Sequence, residues 1–273
     1  MMTLKLSFRI LLSGLLLAGL YNQGIAQKIK NVQDGAVWAS EPVKVDGKIT
    51  EDVFLASNRS TLLSYTMSND NKNLYLVIKS ADNMNNNKIM MGGITLSINT
   101  EGKRREDEGY SITYPVIARP QRGQGGRGQG GFGQRVQGGN ADSAALATRK
   151  QQLAAVKEIA VVGFKDITDS LISIYNEYEI VAAAKFDDAG VFVYELAIPL
   201  KRLALAPGAD FAYNIKINGR QFGGGGGGGF RGGGQGGGTI RIMDGGGQGG
   251  RGNFDPSMFL PTDFWGKYTL ATK

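Results

Sequence analysis

The chain of 273 residues contains no histidine and no cysteine. The first absence removes Ser-His-Asp and Cys-His nucleophile pairs, His-ligated zinc and His-ligated haem. The second removes disulfides, thiolate metal sites, thiol nucleophiles and a lipidated N-terminal cysteine. What remains is carboxylate chemistry, hard-cation binding through oxygen, or binding without catalysis. Tryptophan is nearly absent as well, with Trp38 and Trp265 its only occurrences.

Long apolar runs are missing except at the start. Lys5 and Arg9 precede the apolar stretch Ile10 to Leu20, and Gly24-Ile25-Ala26 then supplies small residues. The stretch is shorter than the roughly 20 residues that span a membrane. It reads as a cleaved secretory signal over residues 1–26, with cutting between Ala26 and Gln27 and no anchor left behind. The expected location is therefore outside the inner membrane: periplasmic, cell-surface or secreted.

The formal net charge of +7 is unevenly placed. Residues 118–139 hold 9 Gly and 4 Arg without an acid, and residues 219–252 hold 20 Gly and 4 Arg with one acid, Asp244. Segments so rich in glycine cannot bury enough apolar area to offset their ordering entropy. They read as two disordered insertions in a nearly neutral globular part, and Phe132, Phe222 and Phe230 lie interleaved in them. An RNA-binding reading is set aside for an exported chain, leaving weak, salt-sensitive attraction to polyanions. Chance Gly-x-Gly-x-x-Gly matches around Gly223–Gly229 open no helix and carry no dinucleotide signal.

Elsewhere, short strands follow one another. Leu74–Ile78 places Leu74, Leu76 and Ile78 on one face, while Ile94–Ile98 and Tyr110–Tyr114 alternate apolar and hydroxyl residues, the mark of a half-buried strand. Further strands are expected at Val43–Val45, Leu62–Met67, Ile159–Phe164, Leu171–Tyr175, Ile180–Phe186, Val191–Ile198, Phe211–Ile217, Thr239–Met243 and Trp265–Leu270. Turn signals such as Asp46-Gly47, Asn69-Asp70-Asn71 and Pro207-Gly208 separate them. One surface helix is expected from a cap at Asp142 through Lys157, with a short helical turn at Leu200–Leu203. The pattern predicts an all-β, antiparallel, jelly-roll-like sandwich over residues 40–272, after a lead-in at 27–39.

Four segments suggest a family. Val43-Lys44-Val45-Asp46-Gly47-Lys48-Ile49-Thr50-Glu51-Asp52 resembles the opening turn of carbohydrate-binding module family 9 domains. Asn69-Asp70-Asn71-Lys72-Asn73-Leu74-Tyr75-Leu76 is similar to that family's Asp-x-x-x-Leu-Tyr strand. Tyr194-Glu195-Leu196-Ala197-Ile198-Pro199-Leu200 is similar to its late Glu-hydrophobic-Ala-Ile-Pro element, and Phe264-Trp265-Gly266-Lys267-Tyr268-Thr269-Leu270 to its closing strand. The resemblance implies the β-sandwich of that family and of the wider DOMON-like group, in an exported protein that binds a glycan without catalysis. It departs from the family where Val53-Phe54 replaces the usual tryptophan after the opening acids. The haem-binding branch of the group uses His and Met ligands, and a chain without histidine does not fit it.

The resemblance also implies aromatic platforms for the sugar ring. Trp265, inside the closing-strand motif, reads as a core residue. Trp38 is either a lid over the sandwich or an exposed platform. Tyr110 and Tyr114 share one strand face and are either platforms or, with Ile112, part of the buried side. Asn83, in a loop expected at Asp82–Asn87, is the candidate hydrogen-bonding group. Glu106-Asp107-Glu108 reads as a solvated mixed-charge turn rather than a glycosidase carboxylate pair. Asp187-Asp188 likewise reads as a turn. Asp70 and Asp82, each among asparagines, are candidate calcium ligands, though their spacing matches no defined calcium loop. The leading expectation is glycan binding with no cofactor. The alternative is a structural or interaction protein of the cell envelope, the sandwich serving as scaffold and the Gly/Arg loops as contact segments.

Overall fold

The computed structural model describes residues 29–48, 54–117, 141–219 and 258–273. The proposed signal with its Ala26–Gln27 cleavage point, residues 118–140 and 220–257 of the glycine-rich tracts, and the strand expected at Thr239–Met243 lie outside the described residues.

Among the described residues eleven strands are present: β1 (Ala56–Asn58), β2 (Leu63–Asn69), β3 (Asn73–Ser80), β4 (Ile94–Asn99), β5 (Tyr110–Tyr114), β6 (Glu158–Val162), β7 (Leu171–Ser173), β8 (Val181–Phe186), β9 (Phe192–Pro199), β10 (Asp210–Ile217) and β11 (Thr262–Thr269). They form two antiparallel sheets. The first has five strands in the order β1-β2-β3-β9-β8, and the second six in the order β11-β10-β4-β5-β6-β7. The expected all-β sandwich is therefore the observed architecture.

Period-two alternation decides which side chains meet between the sheets. From the first sheet come Leu63, Tyr65, Met67, Leu74, Leu76, Ile78, Tyr194 and Leu196. The second supplies Ile94, Leu96, Ile98, Ile112, Phe211, Tyr213, Ile215 and Ile217. A buried chain of hydroxyls crosses this core. The Gln33 N–H donates to the Tyr65 hydroxyl at 2.8 Å, which lies 2.8 Å from the Tyr213 hydroxyl. The segment before β1 is bound into the sandwich, Lys30 bridging to Ala56 and Trp38 to Asn69. Gln33 there exchanges two hydrogen bonds of 2.7 Å with the backbone of Met67.

Among the described residues three helices accompany the sheets: α1 (Asn83–Gly92), α2 (Ala141–Ala154) and α3 (Leu200–Leu203). Helix α2 lies against β8, with Leu153 and Val156 buried. Asp142, expected to cap this helix, falls inside its first turn. Helix α1 was not expected. Five consecutive Asn and Met positions hide its periodicity, and Asp82 starts it by accepting from the Asn85 N–H at 2.8 Å. Its Lys88 is buried, donates to the Thr262 hydroxyl at 3.1 Å, and burial pulls its pKa down.

Val43–Val45 is not a strand. This segment runs onto the outer face of the first sheet, where the carboxylate of Glu195 accepts the N–H groups of Asp46 and Gly47, each at 2.7 Å. Two of the four family-like segments thus meet at one carboxylate. A Cβ on Gly47 would sit 2.8 Å from Lys185 Cγ, and its φ is +75°, so glycine is required at this turn.

Candidate functional site

The second sheet turns its other face outward, and its composition is polar. Register fixes the rows across the strands. One row reads Trp265, Asn214, Ser97, Ser111 and Val162. The next, toward one end of the sheet, reads Asp263, Lys216, Thr95, Thr113 and Ala160. On the other side, Lys267, Ala212 and Asn99 line up. Cross-strand partners share a face, so these side chains are true neighbours.

Trp265 corrects the sequence expectation. It is half-buried on the outer face rather than in the core. The inward positions of β11 belong to Phe264, Gly266, Tyr268 and, just beyond the strand, Leu270. Gly266 is where the ring of Tyr213 lies: an added Cβ would stand 2.6 Å from Tyr213 Cε1. The indole N–H of Trp265 has no hydrogen-bond partner among the described residues. Parity with Tyr268 and Leu270 was the signal that places Trp265 outside.

Beside it, Asn214 is fully buried. Its amide donates to Asp263 at 2.7 Å and to the Phe264 carbonyl at 3.2 Å, while its Oδ1 has no partner among the described residues. Ser97, next in the row and 2% exposed, has an unpartnered Oγ as well. A buried polar atom left without a partner costs about 1–3 kcal/mol. The adjoining row is saturated: Thr95 and Thr113 share a 2.7 Å hydroxyl contact, and Asn218 donates to Thr95 at 2.8 Å. The charges around Trp265 sum to zero: Lys216 is paired to Glu106, and Asp263, bonded to the neutral Asn214 amide, is matched by Lys267 on the other side of the tryptophan.

The other predicted residues do not assemble with this row. Trp38 is half-buried where its backbone bridges to Asn69, which holds Ala271 through hydrogen bonds of 2.8 and 3.0 Å. Ala271 is six residues beyond Trp265, about 20 Å along an extended chain. The two tryptophans therefore form no clamp. Tyr114 is a core residue, its ring 6.3 Å from that of Tyr194. Tyr110 packs at the core margin, 5.0 Å from the Phe164 ring. Both tyrosines point inward with Ile112, the buried alternative for this strand. Asn83 is exposed, but it begins α1 instead of lying in a loop.

The carboxylates have local partners. Asp70 accepts from the N–H groups of Lys72 and Asn73, each at 2.7 Å, and from the Tyr75 hydroxyl at 2.8 Å. Burial would raise its pKa, but these donors prevail and hold it below the usual range. Asp82 caps α1. Glu106, Asp107 and Glu108 are exposed and paired with Lys216, Arg105 and Lys103 in the β4–β5 loop. Asp187 accepts from the Val191 N–H at 2.8 Å, and Asp188 pairs with Lys150 at 2.7 Å. Among the described residues no three acids gather into a metal-sized group. Nor is any helix there long and apolar enough to cross a membrane.

No protein-family model and no curated protein matches the chain. Its fold is weakly similar to a solved carbohydrate-binding module. That structure is a family 9 module from Caldicellulosiruptor kristjanssonii in complex with glucose. The comparison covers 88% of this chain and 96% of that one, at 8% identity and a TM-score of 0.37. A likeness at that level carries no argument about the site, which rests on its own geometry.

Proposed function

We propose that this chain is a non-catalytic glycan-binding sandwich that receives a neutral sugar on the outer face of the second sheet, with Trp265 as the stacking platform. The observation that carries the reading is Trp265 itself: a half-exposed indole on the outer face of the second sheet, in one row with the buried Asn214 amide and Ser97 hydroxyl. A pyranose ring presents an apolar face and a rim of hydroxyls, and this face offers the complement to both. Balanced charge around the platform favours neutral over anionic sugars. The sequence resemblance to family 9 modules supports the same reading. The secretory-type N-terminus supports a place at the cell surface or in the periplasm, where glycans and envelope polymers are met.

Calorimetric titration with glucose, cellotetraose, xylotetraose and maltotetraose tests the proposal. Trp265→Ala should weaken binding at least tenfold, about 1.4 kcal/mol, while circular dichroism stays unchanged. Trp38→Ala serves as the comparison, because it removes the other tryptophan about 20 Å away. Binding that survives Trp265→Ala, or is lost only with Trp38→Ala, would refute the assignment of the platform.

A further inference from the structure

The buried acceptors of Asn214 and Ser97 face outward from the sheet, yet they are closed off from solvent. The loop joining β4 to β5 lies beside this row. Asn99, at the end of β4, gathers this loop around its outward side chain. Its Oδ1 accepts the N–H groups of Glu101 at 3.0 Å and Lys103 at 3.2 Å, and its Nδ2 donates to the carbonyls of Arg105 at 3.3 Å and Glu108 at 3.0 Å. From that anchor Glu106 reaches Lys216 on β10 and pairs with it. Asn99 and Lys216 flank the Asn214–Ser97 row on opposite sides, since Ala212 pairs with Asn99, Asn214 with Ser97, and Lys216 with Thr95. The Glu106–Lys216 pair thus links the loop anchored on one side of the row to the strand on the other.

We propose that residues 100–108 form a strap over a covered subsite, and that a ligand's hydroxyl groups reach Asn214 Oδ1 and Ser97 Oγ when the Glu106–Lys216 latch releases. The inference rests on the glycan reading above and specifies it. Asn Oδ1 only accepts and Ser Oγ accepts readily, so the subsite calls for a donor-rich ligand edge, which a sugar carries next to the face it lays on Trp265. The latch is partly solvated, so it closes the strap weakly and reversibly. Apparent affinity is then reduced by the fraction of strap that is closed, and loosening the latch should raise it.

The test titrates the full chain and its variants with the same four sugars. Glu106→Gln should raise apparent affinity about two- to fivefold. In the absence of sugar it should also speed hydrogen exchange at the Glu101 and Lys103 amides, leaving β4 protected. Ser97→Ala should lower affinity at least threefold without lowering the melting temperature, because the lost hydroxyl has no partner in the closed form. Lys216→Met provides a second release of the latch and should act like Glu106→Gln. If Trp265→Ala abolishes binding while Ser97→Ala, Glu106→Gln and Lys216→Met leave it unchanged, the strap is refuted and the platform stands. If the unaltered chain binds none of these sugars, platform and strap fall together.

Discussion

Substituting alanine at Gly266 tests whether the Trp-Gly pair of β11 is a packing device. The added methyl would enter the ring of Tyr213, 2.6 Å from Cε1, where real Cβ contacts are essentially never found. Tyr213 has no exposed surface, and its hydroxyl is tied to Tyr65, which holds the Gln33 N–H. Overpacking a filled core costs about 1–3 kcal/mol. Displacing the ring also unpairs the buried hydroxyl chain, for roughly another 1–3 kcal/mol. For a domain of this size the sum corresponds to a melting-temperature loss of about 5–20 °C. Thermal unfolding followed by circular dichroism measures it. A double-mutant cycle with Tyr213→Leu then isolates the clash: once the ring is gone, Gly266→Ala should cost under about 1 kcal/mol. A shift below 1 °C in the single variant, or strict additivity in the cycle, would refute the packing argument.

Two further expectations concern buried groups in the first sheet. Burial holds the Glu195 carboxyl above its ordinary 4.5, against the two backbone N–H groups that lower it. The folded state therefore binds this proton more tightly than the unfolded chain, and its contribution falls as pH rises from 4.5 through the raised value. Urea unfolding of Glu195→Gln should accordingly shift in the variant's favour, relative to the unaltered chain, between about pH 4 and pH 7; a pH-independent difference would contradict this. Tyr194 has a buried hydroxyl without a partner among the described residues, and burial raises its pKa. Tyr194→Phe should be neutral or stabilising by up to about 1 kcal/mol, and a clear loss of stability would show that the hydroxyl is bonded in solution.

Much of the frame was readable from periodicity. Ile94–Ile98 revealed its buried side and its hydroxyl side, while Tyr110–Tyr114 showed the same alternation but left open whether its tyrosines were buried; the hydroxyls of both, Ser97 and Ser111 among them, form the outer face of the second sheet. Trp265 was misassigned because a large aromatic in a closing strand suggests burial. Parity along Phe264, Gly266, Tyr268 and Leu270 pointed the other way, but Gly266 conceals that parity until Tyr213 is seen filling its place. Helix α1 was hidden for a different reason. Asn83, Asn85, Asn86 and Asn87 are poor helix formers, and tertiary partners hold them: Asn85 donates to Thr61, Asn86 to Gly190, and Asn87 accepts from Arg149. The burial of Asn214 had no local signal.

Thr262, Ile217, Ile94 and Tyr114 are aligned in register, so β10 and β5 finish, and β11 begins, at the same end. Both glycine-rich tracts depart from that end, one soon after Tyr114 and one soon after Ile217. They carry eight arginines and one aspartate between them over residues 118–139 and 219–252. The described chain therefore runs out toward both arginine-bearing segments from one and the same end of the second sheet.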